Sequence, residues 1–180
     1  MNDPEVIFQA GAAAFGDGSH PTTRMVLAAL DSIDPEAFAP SIACDMGAGS
    51  GVLSLAVAAK FGCKVVAVDI ERQAVETLRA NALHNRLDGR IVAVHADGFR
   101  HAQVESLAPF DLIVMNILAE PLLALATDAV AALETGGVLI LSGLLRWQEE
   151  SLRAAYEGLG LELTSRLALG DWVALVLQKP

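Results

Sequence analysis

Three glycines stand at alternate positions in the stretch CDMGAGSG, directly behind the acidic Asp45. Gly47, Gly49 and Gly51 permit positive φ angles and let a ligand approach the backbone closely. An apolar run precedes this turn and a helix-forming run follows it, which is the order of a ligand-binding turn between a strand and a helix. A tight turn without a ligand is the alternative that the glycines alone leave open.

A second acid, Asp69, ends the next apolar run, 22 residues after Gly47. A carboxylate at the end of the second strand and at this spacing hydrogen-bonds the ribose hydroxyls of a bound nucleotide. Capping of the helix that follows Asp69 is the structural alternative. Asp97, in the ADG that follows the third apolar run, stands where a carboxylate could meet an adenine amino group. These residues together predict a ligand that contains adenosine.

The sixth position of the glycine pattern separates the possible adenosine ligands. A dinucleotide-binding turn needs glycine there, and this chain has Val52. An acid such as Asp45 is unfavourable beside a pyrophosphate at the helix N-terminus, but it suits the ammonium group of S-adenosyl-L-methionine, which carries no phosphate. We therefore predict S-adenosyl-L-methionine as the cofactor. The residues that this reasoning places at its site are Asp45, Gly47, Gly49, Asp69 and Asp97.

Apolar runs alternate with helical patterns along the chain, which predicts βαβ units in a doubly wound α/β sheet. The predicted strands cover 41–46, 64–70, 90–97, 110–116 and 136–143, and the predicted helices cover 52–61, 71–85, a segment with Pro121 in its first turn, and about 147–158. Two closing strands, 161–169 and 171–178, are joined too closely for a crossover helix, so we expect an antiparallel pair. We expect one domain over 1–180, in which 1–40 cover the ligand site and 41–180 form a Rossmann-like core.

Composition narrows the classes of protein. Apolar residues make up 53% of the 180 residues, as expected for a sheet buried on both faces. The net charge is -10, and the 12 Lys and Arg residues are scattered, so we expect no direct nucleic-acid binding. Cys44 and Cys63 match no metal or redox spacing, and we predict no metal. The chain shows neither a signal peptide nor an apolar run of about 18 residues, so we predict a cytoplasmic protein without a membrane partner.

Several motifs follow one another in a recognisable order. AFGDGSHPTT, DLIVMNILAEPL, LSGLLRWQ and DWVAL, together with the glycine turn, resemble the PrmA family, the bacterial methyltransferases of ribosomal protein eleven of the large subunit. The likeness runs from about Gly11 to the C-terminus. It implies a seven-stranded S-adenosylmethionine-dependent methyltransferase sheet with an antiparallel last strand. It also implies methylation of lysine side chains and an N-terminal amine of a basic ribosomal protein.

The resemblance also assigns site residues. The positions that match the family's cofactor-contacting residues are Thr23, Gly47, Asp69 and Asn116, and by the same resemblance Phe15 and His20 of the loop motif are expected to line the cofactor pocket. An ordinary surface or capping role is the alternative for His20. Asp17 departs from the family pattern, which usually has Thr there.

Asn116 is the predicted catalytic residue, because it ends the fourth strand beside the expected site. An amine accepts a methyl group only through its neutral lone pair, and an amide oxygen can hold the amine's hydrogens and aim that lone pair. Backbone carbonyls of the NIL segment can assist, and no strong general base is required if the proton leaves to water. The structural alternative is that Asn116 caps the helix that contains Pro121.

Rival functions are compatible with parts of the sequence. An N6-adenine methyltransferase needs an aromatic residue that stacks on an extruded base, and Ala119 stands at that place. Further candidates are a small-molecule N-methyltransferase, an inactive cofactor-binding fragment and a nicotinamide oxidoreductase. The family carries an N-terminal domain that recognises the ribosomal protein, whereas 13 residues precede the AFG motif here. We therefore expect a catalytic fragment or a stand-alone relative.

Overall fold

The computed structural model describes residues 18–180, so Phe15 and Asp17 lie outside the described residues. The helices are α1 (Pro21–Ser32), α2 (Val52–Phe61), α3 (Arg72–His84), α4 (Ala102–Glu105), α5 (Ala119–Ala124), α6 (Ala126–Ala132) and α7 (Glu149–Gly158), with a 3-10 turn at Arg146–Gln148. The strands are β1 (Ile42–Met46), β2 (Lys64–Asp69), β3 (Ile91–His95), β4 (Phe110–Asn116), β5 (Leu133–Leu145), β6 (Glu162–Leu169) and β7 (Trp172–Gln178).

The strands form one seven-stranded sheet in the order β3-β2-β1-β4-β5-β7-β6. The first five strands of this order pair in parallel, and β7 runs antiparallel to both of its neighbours, β5 and β6. The predicted α/β class and the antiparallel closing pair are therefore confirmed. The chain winds outward from β1 in one direction and from β4 in the other, so the crevice between their carboxyl ends is the expected ligand site.

Two apolar cores cover the two faces of the sheet. Residues 65–68 of β2 and 112–115 of β4 are fully buried, which explains their unbroken apolar runs. Helix α3 buries Val75, Leu78 and Ala82, the face that its sequence periodicity predicts. The cores hold β1, β2 and β4 rigidly side by side, and the ends of these strands carry the candidate site.

The two largest departures from the predicted bounds follow β4. The helix predicted around Pro121 is divided at Leu125, whose N–H donates to the Pro121 carbonyl, and α6 starts a new helix at Ala126. Strand β5 begins at Leu133, three residues before the predicted start, because Leu133 pairs with Phe110 ahead of a register shift. Within residues 18–180, no helix has the length and apolar character needed to cross a membrane.

Candidate functional site

The glycine turn lies between β1 and α2, and each of its glycines has a positive φ: +78° at Gly47, +55° at Gly49 and +87° at Gly51. A Cβ on Gly47 would collide with the Ile117 side chain, and one on Gly51 would lie 2.8 Å from Leu78 Cγ. The turn thus needs glycine both for its backbone conformation and for its close approach to β4 and α3.

The backbone N–H groups of the turn are used inside the protein. Gly47 and Ala48 both donate to the Val68 carbonyl, at 2.8 and 3.0 Å, and Gly49 donates to Asp69 Oδ2 at 2.8 Å. A pyrophosphate-binding turn presents such groups to its ligand. The engagement of these three donors therefore agrees with the prediction from Val52 that the turn does not serve a dinucleotide.

Asp69 ends β2 and holds the turn in place. Its Oδ2 accepts the Gly49 N–H, and its Oδ1 accepts the N–H of Glu71, the residue that precedes α3, at 2.8 Å. The structural alternative, support for the start of the helix, is thus realised. A carboxylate has about four lone-pair positions, so Asp69 retains acceptor capacity toward the cleft that it lines.

A cleft of about 660 Å³ opens at the carboxyl ends of β1 to β4, a volume typical of small-molecule sites. Seven of the predicted site residues line it: His20, Thr23, Gly47, Gly49, Asp69, Asp97 and Asn116. The described lining includes three carboxylates, on Asp69, Glu71 and Asp97, and no Lys or Arg side chain. The cleft therefore favours a positively charged ligand.

Asp45 departs from the prediction that its carboxylate meets a ligand ammonium. It lies within β1, is 1% exposed, and is not among the residues that line the cleft. The Ser54 hydroxyl donates to its Oδ2 at 2.5 Å, whereas Oδ1 has no partner within residues 18–180. Burial, opposed in part by the Ser54 hydrogen bonds, raises the pKa of Asp45 to about 6. The place of Asp45 in β1 directs its side chain into the interior, where it bonds to Ser54 of α2.

At the other end of the cleft, side chains from distant elements meet around Asn116. Its Nδ2 donates to Thr23 Oγ1 at 3.3 Å, which leaves Oδ1 as the acceptor atom of the amide. The Ser142 hydroxyl of β5 donates to the Thr22 carbonyl at 3.2 Å. These two bonds attach the first turn of α1 to the ends of β4 and β5.

The segment after Asn116 packs against β5. A Cβ on Gly143 would collide with the backbone of Ile117, and Gly143 has φ +90° where the β5–β7 register shifts. The Leu118 carbonyl accepts the Leu122 N–H at 3.1 Å and is therefore committed to α5. Sequence reasoning named the backbone of the NIL segment, which includes Ile117, but missed Gly143. A glycine inside a strand pattern, as in LILSG, is the available signal of a bulge or close backbone contact.

His20 and Trp172 contact each other in the lining of the cleft. His20 caps α1, with Nδ1 2.8 Å from Thr22 Oγ1, and its ring meets the Trp172 ring edge-on at a centroid distance of 5.1 Å. Both residues line the cleft. The sequence assigns Trp172 no role in the site, because nothing local links the start of β7 to α1.

Residues 3–180 match the family model described as Ribosomal protein L11 methyltransferase (PrmA). A Caulobacter sp. protein named ribosomal protein L11 methyltransferase is 45% identical over 174 residues, which are 96% of this chain and 58% of that protein. A Rhodopseudomonas palustris protein of the same name is 40% identical over 168 residues, or 93% and 57% of the two chains. The chain thus spans less than two thirds of the length of these relatives.

Solved structures give the same picture. The crystal structure of ribosomal protein L11 methylase from Lactobacillus delbrueckii subsp. bulgaricus has a TM-score of 0.78 at 29% identity and covers 92% of this chain and 81% of its own. A T. thermophilus 16S rRNA methyltransferase, solved with AdoMet and guanosine, has a TM-score of 0.71 at 27% identity over 93% of this chain and 45% of its own. The match over residues 3–180 and the identity to the curated relatives show that the chain belongs to the ribosomal protein L11 methyltransferase (PrmA) family.

Proposed function

We propose that this chain is an S-adenosyl-L-methionine-dependent protein N-methyltransferase that methylates lysine or N-terminal amines of a ribosomal protein. The observation that carries the proposal is one cleft, in a chain of this family, that runs from Asp69 and Asp97 across the glycine turn to Asn116. The names of the relatives support ribosomal protein L11 as the substrate, and a ribosomal substrate agrees with a cytoplasmic enzyme.

The residues present fit this cofactor. S-adenosyl-L-methionine carries positive charge and no phosphate, and the cleft offers carboxylates and a turn with engaged N–H groups. Asp69 would hold the ribose, Asp97 the adenine amino group, and Gly47 and Gly49 would border the methionine portion. Thr23, His20 and Asn116 would surround the reacting end, and Phe15 remains a predicted contact. When bound, this cofactor supplies a methyl group on a positively charged sulfur, and an amine lone pair can bond to that methyl carbon while the sulfur leaves as a neutral thioether.

The chain's own part in the reaction is to prepare the acceptor amine. A lysine has a pKa of about 10.4, so its neutral form at pH 7 costs roughly 4–5 kcal/mol. Apolar surroundings lower that cost by disfavouring the charged form, and the partly buried Ile117 and Trp172 contribute them. The proton can leave to water before methyl transfer. Asn116 Oδ1 then accepts an N–H of the neutral amine and orients its lone pair, while Thr23 holds the amide in place.

The single-domain arrangement also belongs to this proposal. Residues 41–180 would form the methyltransferase core, and 1–40 would cover the cofactor. The contacts of Thr22 and Thr23 with β5 and β4 support that role for α1.

A nucleic-acid substrate is the second candidate, because the T. thermophilus rRNA enzyme is similar in structure. The lack of Lys and Arg in the described cleft lining and the net charge of -10 favour a basic protein instead.

The first test is calorimetric titration of the chain with S-adenosyl-L-methionine and, separately, with NAD. We expect binding of the first ligand only, and loss of that binding in Asp69→Ala. Methyl transfer to ribosomal protein L11 is then measured for the wild type and for Asn116→Ala. Transfer should fall by more than cofactor affinity does. Absence of cofactor binding, or undiminished transfer by Asn116→Ala, would overturn the proposal.

A further inference from the structure

A second cavity, of about 250 Å³, adjoins the cleft at its Asn116 end. It shares four lining residues with the cleft: Leu118, Pro121, Gly143 and Trp172. The rest of its lining comes from the start of α5 and from the region around the 3-10 turn: Ala119, Glu120, Leu145 and Gln148. The cavity thus lies on the side of the reacting end that is remote from Asp69, where a methyl acceptor must arrive.

We propose that this cavity is the acceptor subsite, that it receives a lysine side chain of a basic protein segment, and that Glu120 and Trp147 select that cation. The proposal rests on the proposed function, which it deepens by naming the residues that choose the substrate. The site's two tasks are separate: Glu120 attracts the ammonium form from solvent, and Asn116 orients the neutral amine further in.

The volume of the cavity favours a side chain over a whole small molecule. Sites for complete small-molecule ligands usually occupy about 300–1,000 Å³. At about 250 Å³ this cavity falls below that range, whereas the cofactor cleft beside it lies within the range. A substrate that inserts one side chain, while the rest of its chain stays outside, fits this space.

The walls of the cavity match the chemistry of lysine. Leu118, Leu145 and Trp172 offer apolar surface to an aliphatic stem, which long basic side chains bury while their charged end stays in water. Glu120 is the only charged residue of the described lining. The Gln148 amide oxygen already accepts the Leu145 N–H at 2.8 Å. Recognition of a cation therefore falls to Glu120.

Glu120 is available for this role. It is solvent-exposed, and none of the ion pairs found within residues 18–180 includes it. Arg146 follows the lining residue Leu145 in sequence. Its Nε donates to the Gly170 carbonyl at 2.8 Å. The charge of Glu120 thus faces solvent, where it can draw in a positively charged segment.

Two large apolar side chains, one in the cavity lining and one next to a lining residue in sequence, are exposed to solvent. Leu118 is 69% exposed, and Trp147, in the 3-10 turn beside Gln148, is 78% exposed. An exposed tryptophan next to a cation-binding cavity suits a cation–π contact with a basic residue of the substrate. The net charge of -10 has the sign that favours association with a basic protein segment.

Intrinsic fluorescence tests the subsite directly, since the chain's two tryptophans, Trp147 and Trp172, both belong to this region. The probe is a basic lysine-containing peptide, titrated beside a peptide in which every lysine is replaced by glutamine. We expect binding of the lysine peptide only. Glu120→Gln should weaken it about fivefold at low salt, with a smaller difference at high salt. The matched control is Glu150→Gln on α7, an exposed glutamate that lines neither cavity and should bind as the wild type does.

Kinetics then separates recognition from chemistry. Glu120→Gln should raise KM for the lysine peptide with kcat within about twofold, since uniform binding is what it removes. Trp147→Ala should raise KM in the same way, and Trp147→Phe should restore most of the affinity. Equal binding of the two peptides, equal affinity of wild type and Glu120→Gln, or tight binding of free lysine would contradict the proposal. Failure of cofactor binding or turnover would instead count against the proposed function, because the fluorescence titration requires neither.

Discussion

The two ends of the cleft are built in different ways. At the glycine turn, the hydrogen-bond donors are backbone N–H groups, and the partners are close in sequence: Gly49 and Asp69 are 20 residues apart. At the Asn116 end, side chains make it, and the partners are distant: Asn116 lies 93 residues from Thr23, and Ser142 lies 120 residues from Thr22. The hydrogen bonds of the cofactor end join residues close in sequence, whereas the acceptor end exists only after α1, β4, β5 and β7 have assembled.

This difference separates two kinds of sensitivity to mutation. The Gly47 and Ala48 N–H groups donate to a backbone carbonyl, so these hydrogen bonds persist when neighbouring side chains change, as long as the glycines remain. The acceptor end depends on the fit of particular side chains, such as Ile117 against Gly143. A common cofactor can thus be retained while acceptor specificity changes. Glu120 and Trp147 belong to the acceptor end, where such changes would act.

Gly143→Ala should have the largest effect. The new methyl group meets both a positive φ and the Ile117 backbone, so we expect a loss of about 2–5 kcal/mol in the free energy of unfolding and loss of methyl transfer. The control, Gly136→Ala on the same strand, has φ +79° and open space, so it should lose only about 1–2 kcal/mol. Urea unfolding measures both; equal losses would show that Ile117 yields easily.

The buried acid below the glycine turn should give a pH-dependent effect. The pKa of Asp45 is raised from 3.8 to about 6 in the folded state. Between these two pH values, the folded chain keeps a proton that the unfolded chain has lost. The resulting stabilisation is complete below pH 4 and is lost as pH rises through about 6, a change of about 3 kcal/mol. The difference in unfolding free energy between wild type and Asp45→Asn, measured from pH 4 to 7, should follow this curve. Asp97→Asn, at an exposed position, is the control. If the difference in unfolding free energy between wild type and Asp45→Asn did not change with pH, the raised pKa of Asp45 would be contradicted.

Asp69→Ala should cost about 2 kcal/mol, because the Gly49 and Glu71 N–H groups both lose their acceptor. Asp69→Asn retains one oxygen and should lose about half as much. Cofactor affinity should fall in both variants. Equal stability of the Ala and Asn variants in urea unfolding would show that the carboxylate does not hold the turn.

Thr23→Val should have the smallest effect. It removes the hydroxyl that holds the Asn116 amide but keeps the branched shape, and a bond of 3.3 Å is worth about 1 kcal/mol. We expect turnover to fall about fivefold. Thr23→Ser keeps the hydroxyl and should turn over nearly as the wild type does. If both variants were equally slow, the methyl group of Thr23, rather than its hydrogen bond, would be the important part.

Most of the fold could be predicted because its signals are local. The predicted bounds of α2 and β4 agree with the structure at both ends, since an apolar run or a helical period is a property of consecutive residues. The division of the helix at Leu125 and the early start of β5 at Leu133 were missed. Both depend on contacts across the sheet and between helices, which periodicity does not record.

The sequence by itself determined the glycine turn, the acid that closes it at Asp69, and the asparagine at the end of β4. These features follow from residue type and spacing along the chain. Only the tertiary structure decided that Asp45 points into the interior while Asp69 borders the cleft. It also decided that Gly143 meets Ile117 and that Trp172 meets His20. The physical reason is that strand twist and packing bring together side chains many residues apart, and no local pattern encodes those distances.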